Sequence, residues 1–75
     1  MPMEYLIVYF ARRRRVKIDD EFNGYTKELI EIEAGRHVVS LGPPYNFTPD
    51  DRTIILKDTS EVEPREITFD LAAER

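Results

Sequence analysis

An all-β fold is what this sequence predicts: a small antiparallel β-sandwich of about six to seven strands, immunoglobulin-like or prealbumin-like in style. Three observations predict it. Hydrophobicity alternates with period two in one segment after another, the apolar runs are short and rich in β-branched and aromatic residues, and Gly, Pro, Asn and Asp separate them. Period two dominates and no helix is expected, so the strands must cover one another in two layers. The 75 residues fit one domain, 1–75. A chain of this size buries only roughly 60% of its unfolded surface, which makes the core thin and a partner that covers apolar surface stabilising.

The first strand is "YLIVYF" (5–10), and both of its faces are apolar. Leu6, Val8 and Phe10 fill one face; Tyr5, Ile7 and Tyr9 fill the other. Because a thin two-layer fold leaves one face of each sheet wet, the second apolar face is either buried in the middle of the sandwich, wrapped by a loop such as "GPPYNF", or a contact surface. Next comes "RVKI" (15–18), with Val16 and Ile18 inward and Arg15 and Lys17 outward. Nothing between Leu6 and Phe22 is Gly, Pro, Asn or Ser, so either Ala11 to Arg14 makes an unmarked turn or one long bent strand runs through, and of the two the bent strand is expected. Asn23-Gly24 suits a turn that needs φ > 0.

"ELIEIE" (28–33) places Ile30 and Ile32 inward and Glu31 and Glu33 outward. Pairing of the arginine strand with this acidic one would add about 0.2–1 kcal/mol per opposite-charge pair. Ala34-Gly35 reads as a tight hairpin leading into "HVVSL" (37–41), where Val39 and Leu41 point inward and Ser40 outward. Gly42-Pro43-Pro44 and Thr48-Pro49-Asp50-Asp51 bracket a loop that cannot continue a ladder. "TIILK" (53–57) contributes Ile54 and Leu56, and "EITFDL" (66–71) contributes Ile67, Phe69 and Leu71 to the core.

Charge and composition exclude several function classes. Eleven Lys and Arg against fifteen Asp and Glu leave a net charge of −4, which gives no general attraction to phosphate or anionic lipid. The absence of cysteine removes disulfides, thiolate nucleophiles and cysteine metal sites. Glu4 and Pro2 stand where a secretory signal needs positive charge, and the arginines follow the apolar run. The run is too short to cross a bilayer, so a cytoplasmic protein without a membrane partner is expected.

The dense basic cluster Arg12–Arg15 beside Tyr5, Tyr9 and Phe10 offers the charge and stacking that single-stranded nucleic acid requires. Against that alternative stand the acidic domain and the immediately following Asp19, Asp20 and Glu21. The plainer role is that arginine stems cover an apolar edge while their charges oppose aggregation. His37 is the only histidine, and its parity with Val39 and Leu41 points it inward toward a backbone hydrogen bond. With neither a second histidine nor a cysteine, no nucleophile–base pair or nitrogen-rich metal site assembles; no catalytic residue, metal or cofactor is expected. The acidic turns lack the ligand spacing of a calcium loop. The candidate interaction surface comprises Tyr5, Ile7, Tyr9, Arg13, Arg15 and Lys17.

The spacing Val16-x-Ile18-Asp19-Asp20-x-x-x-Gly24-x-Thr26, followed by Ala34-Gly35-Arg36-His37-x-Val39-x-Leu41, resembles the PEGA domain pattern of strand, turn, strand start and hairpin. The family's Pro-x-Gly-Ala signature is absent, with "ARRRR" in its place before Val16; Asp20 replaces the turn glycine and Lys27 the proline after Thr26. The resemblance implies turn-forming roles for Asp19, Gly24 and Gly35 in a small β-sandwich without catalytic residues. It further implies a protein-interaction module. Combined with the two-faced first strand, this gives the expected function: binding of a protein partner or of a second copy, as a homo-oligomer.

Overall fold

The alternation of apolar residues is realised as nine short strands, with no helix among the described residues. The computed structural model describes residues 2–72. In chain order the strands are β1 (Met3–Tyr9), β2 (Arg15–Ile18), β3 (Glu21–Tyr25), β4 (Ile30–Glu33), β5 (Gly35–Leu41), β6 (Phe47–Thr48), β7 (Arg52–Leu56), β8 (Arg65–Thr68) and β9 (Asp70–Leu71). They form three sheets, ordered β4-β1-β8, β3-β2-β5-β7 and β6-β9. Every pair is antiparallel except β1 with β8, which is parallel. Residues 57–64 carry the chain from one sheet to the other and start β8 in the direction of β1.

Both larger sheets bury alternate residues in one core. Leu6, Val8, Ile30 and Ile67 come from the first sheet, and Val16, Ile18, Val39, Leu41, Ile54 and Leu56 from the second, joined by Phe10, Phe47 and Phe69. Phe47 meets Phe10 and Phe69 edge to face, with centroids 6.2 and 5.7 Å apart, an arrangement the ring quadrupoles favour. Ile32 is only half-buried and packs against this cluster. Leu71 departs from its expected place and is 45% exposed. The segment 66–71 is not one strand: the Phe69 amide donates to the Tyr9 carbonyl, and β9 then pairs with β6, so the parity that carried Ile67 inward does not extend to Leu71.

Four local expectations are corrected by the topology. No bent strand runs through the arginines, because β1 and β2 lie in different sheets and residues 10–14 cross between them. Ala34-Gly35 does not close a hairpin: β4 pairs with β1 while β5 pairs with β2 and β7, and Gly35, at φ 126°, moves the chain between sheets. Asn23-Gly24 lies inside β3, where Gly24 at φ 79° occupies a bulge opposite the step from Arg15 to Lys17. The arginine strand does not face the acidic one; β2 pairs with β3 and β5.

The actual turn between β2 and β3 is Asp19-Asp20, with φ of 52° and 69°. Two successive positive φ values give the type I′ geometry whose twist suits a two-residue hairpin, and Asp tolerates that region because its short side chain bonds locally. A Cβ on Gly24 would lie 3.0 Å from Ile30 Cγ1, so glycine is required there both by φ and by the approach of β4.

What replaces turn residues in the 10–14 crossing is the side chain of Thr26, which is 1% exposed. Its hydroxyl accepts the Arg14 amide at 2.9 Å and donates to the Arg12 carbonyl at 3.0 Å. The Thr26 amide donates to the Arg14 carbonyl and the Lys27 amide to the Val8 carbonyl, both at 2.8 Å. Arg14 is thereby turned inward and is itself buried. Its guanidinium donates to the Pro44 carbonyl at 2.6 Å, Asn46 Oδ1 at 3.1 Å and the Gly42 carbonyl at 3.4 Å, and lies 5.1 Å from the Phe10 ring centroid. Neutral oxygens around Nη1 and an aromatic face receive the cation.

A second set of bonds covers the part of β1 that β8 does not reach. The Tyr5 amide donates to Thr59 Oγ1 at 2.7 Å, while the Thr59 amide and hydroxyl donate to Glu4 Oε1 at 2.8 and 2.6 Å. These bonds from the Thr59 side chain and backbone hold the Glu4 carboxyl below its ordinary range, against the opposing effect of burial.

Thr26→Val keeps the β-branched shape and strands the Arg14 amide without an acceptor. The expected loss is about 1–3 kcal/mol of unfolding free energy, read from urea melts monitored by circular dichroism. An unchanged midpoint would contradict the role assigned to the hydroxyl.

Candidate interaction surface

The six residues singled out from the sequence do not form one patch. Tyr5, Ile7 and Tyr9 point outward from β1, in the centre of the β4-β1-β8 sheet, and are half-buried there. Arg15 and Lys17 point outward from β2 in the other sheet. Since the inward residues of both strands share one core, the two outward sets face away from each other. Arg13 sits in the crossing between them.

On the first sheet, register fixes the neighbours of the tyrosines. Tyr5 lies opposite Glu31, Met3 opposite Glu33, Ile7 opposite Glu66 and Tyr9 opposite Thr68. The Tyr5 hydroxyl donates to Glu31 Oε2 at 3.3 Å and the Tyr9 hydroxyl to Glu66 Oε2 at 3.4 Å. Desolvation, then the charges of Glu31 and Glu61, push the Tyr5 hydroxyl above its ordinary pKa, so it stays neutral and donating. The surface is an apolar and aromatic stripe with carboxylates on both flanks.

The other sheet carries a different chemistry. Across the ladder Arg15 lies opposite Tyr25 and Lys17 opposite Phe22, with the bulge between them. The Arg15 guanidinium lies 3.9 Å from the centroid of the Phe22 ring and the Lys17 ammonium 5.9 Å from it. Arg13 stacks at 3.9 Å on Tyr25 and pairs with Glu28 at 3.0 Å. Phe22 nevertheless remains 48% exposed, and Ile55 on β7, opposite Arg36 on β5, is exposed as well. Phe22, Tyr25, Arg36 and Ile55 were not singled out from the sequence. The outward direction of Arg36 and Ile55 follows from the parity of their strands, whereas that of Phe22 and Tyr25, opposite Lys17 and Arg15, becomes readable only when Gly24 is placed in a bulge instead of a turn.

The turn-forming residues have defined places. Asp19 Oδ1 accepts the Val38 amide at 2.9 Å, and its Oδ2 lies 2.6 Å from His37 Nδ1. His37 Nε2 lies 2.7 Å from the Glu33 carbonyl oxygen, and the side chain is only 11% exposed. Both ring nitrogens therefore face acceptors, an arrangement that only the doubly protonated imidazolium satisfies. Burial acts to lower the His37 pKa, but the Asp19 and Glu33 hydrogen bonds and the nearby negative charge outweigh it and raise it above 6.5. Asp19 is held below 3.8 by the Val38 amide first and His37 second, against desolvation. This is a tie between the β2–β3 turn and β5, with no free ring nitrogen for acid–base chemistry.

Among the described residues no pocket opens, no group of His, Asp or Glu has the geometry to hold a metal ion, and no helix is long and apolar enough to cross a membrane.

The His37–Asp19 pair makes stability depend on pH with a definite sign. A raised histidine pKa contributes stability that is complete below 6.5 and is lost as pH rises through the folded value; a lowered aspartate pKa contributes stability that is complete above 3.8 and is lost as pH falls. The melting-temperature advantage of the wild type over His37→Gln is therefore largest between these limits and shrinks toward alkaline pH. An advantage that grows with pH would contradict the assignment. Compared with models of known families, with characterised proteins and with solved structures, the chain matches none.

Proposed function

We propose that this chain is a non-enzymatic protein-interaction module, PEGA-like and built as a small β-sandwich, that associates with itself through the outward face of its first strand. The observation that carries the reading is the stripe Met3, Tyr5, Ile7 and Tyr9 along β1. A central strand whose outward side is apolar over its whole length presents contiguous surface that gains by being covered. The two tyrosines each add a hydroxyl at the margin of that stripe, a combination enriched where proteins meet. Because β1 has neighbours on both sides, the contact uses its face and not strand addition. The core of so small a domain is thin, and covering the stripe would stabilise it by mass action. In this reading the setting is cytoplasmic, and neither membrane nor cofactor takes part.

A second reading rests on the adjoining stacks of Arg13 on Tyr25 and Arg15 on Phe22, with Lys17 alongside. Cations interleaved with aromatic rings suit single-stranded nucleic acid. It ranks below the first because the guanidinium groups already occupy ring faces that bases would need, and the chain as a whole is acidic.

Light scattering across a concentration series tests the first reading: the wild type gains mass as concentration rises, and Ile7→Lys weakens association by about tenfold or more. A wild type that remains a single chain at every concentration would contradict it. Titration of labelled single-stranded DNA at low salt separates the second reading, with no binding expected.

A further inference from the structure

We infer that self-association is heterologous, with the β4-β1-β8 face of one copy seated on the β3-β2-β5-β7 face of the next. This rests on the self-association proposed above and adds its geometry. The outward strand positions of the first sheet carry Glu31, Glu33 and Glu66 around the Tyr5–Ile7–Tyr9 stripe and no basic residue. The outward strand positions of the second carry Arg15, Lys17 and Arg36 around Phe22 and Ile55 and no acidic residue. Three carboxylates thus stand on one face and three cations on the other, each set bordering exposed or half-buried apolar side chains.

This distribution decides between the two ways a single chain can pair with itself. A two-fold contact between two β4-β1-β8 faces would bring like carboxylates together around the stripe, and juxtaposed like charges act against association. Seating that face on the basic one sets apolar against apolar and carboxylate against cation. The Arg15 guanidinium already lies 3.9 Å from the centroid of the Phe22 ring, so part of the ordering it needs to meet a partner carboxylate is in place before association. The net charge of −4 opposes approach in other orientations, so that only the complementary faces attract. A heterologous contact leaves one free face of each kind at the two ends, so the assembly grows by addition of further copies.

Sedimentation velocity on two charge-reversed proteins tests this. Glu31→Lys with Glu66→Lys disables the acidic face, and Arg15→Glu with Lys17→Glu disables the basic one; all four side chains lie on strand surfaces and are outside the core. The wild type gains mass with concentration, each reversed protein alone stays a single chain, and an equimolar mixture of the two associates again. If the Arg15→Glu/Lys17→Glu protein associates like the wild type, the heterologous geometry is overturned while self-association through the first strand stands. A wild type that never associates removes both. A second measurement needs no variant: raising salt from about 20 mM to about 500 mM weakens wild-type association by about tenfold or more, since screening shortens the reach of exposed charges. Association indifferent to salt overturns the inference.

Discussion

The Thr26 hydroxyl, accepting from the Arg14 amide and donating to the Arg12 carbonyl, fixes the point at which the chain leaves one sheet for the other. Four consecutive arginines have no intrinsic turn preference, and without this contact nothing local would end the first strand. The same threonine lies where β3 gives way to β4, so two of the four passages between the two larger sheets are tied at one buried spot, and the Lys27 bond to Val8 extends the tie to the end of β1. Arg14 then reaches three oxygens of residues 42–46, which adds the connection between β5 and β6 to the same spot. A buried cation met only by neutral groups is tolerable because every contact is a charge-assisted hydrogen bond or an aromatic face.

The surface follows from that constraint. By turning Arg14 inward, the crossing sends Arg13 and Arg15 outward on the second sheet, where Tyr25 and Phe22 receive them. The first strand, having passed to the other sheet, keeps its tyrosines among glutamates. Segregation of charge by sheet is therefore a product of the topology and not of the linear order of residues, in which arginines and tyrosines are neighbours.

Much of the interior was legible in the sequence. Val16, Ile18, Val39, Leu41, Ile54, Leu56, Ile67 and Phe69 are buried where period-two alternation puts them, because a pleated strand offers each residue only two directions. His37 likewise turns inward to a backbone carbonyl. What failed to show was pairing. Glycine marks positive φ but not its context: Gly24 serves a bulge and Gly35 a passage between sheets, where turns looked equally suitable. Asp19-Asp20, a turn without glycine, works because Asp19 is held from outside by Val38 and His37. The split of the candidate surface was hidden for the same reason, since only the threonine-held crossing shows that β1 and β2 belong to different sheets.

Amide hydrogen exchange measured residue by residue tests the central role of the Thr26 contact most directly. The Arg14, Thr26 and Lys27 amides should exchange only through global unfolding, as slowly as the best-protected amides of β1 and β5 despite lying outside any strand. Rapid exchange at these three through local opening, while the strands stay protected, would show that the crossing is held by something else.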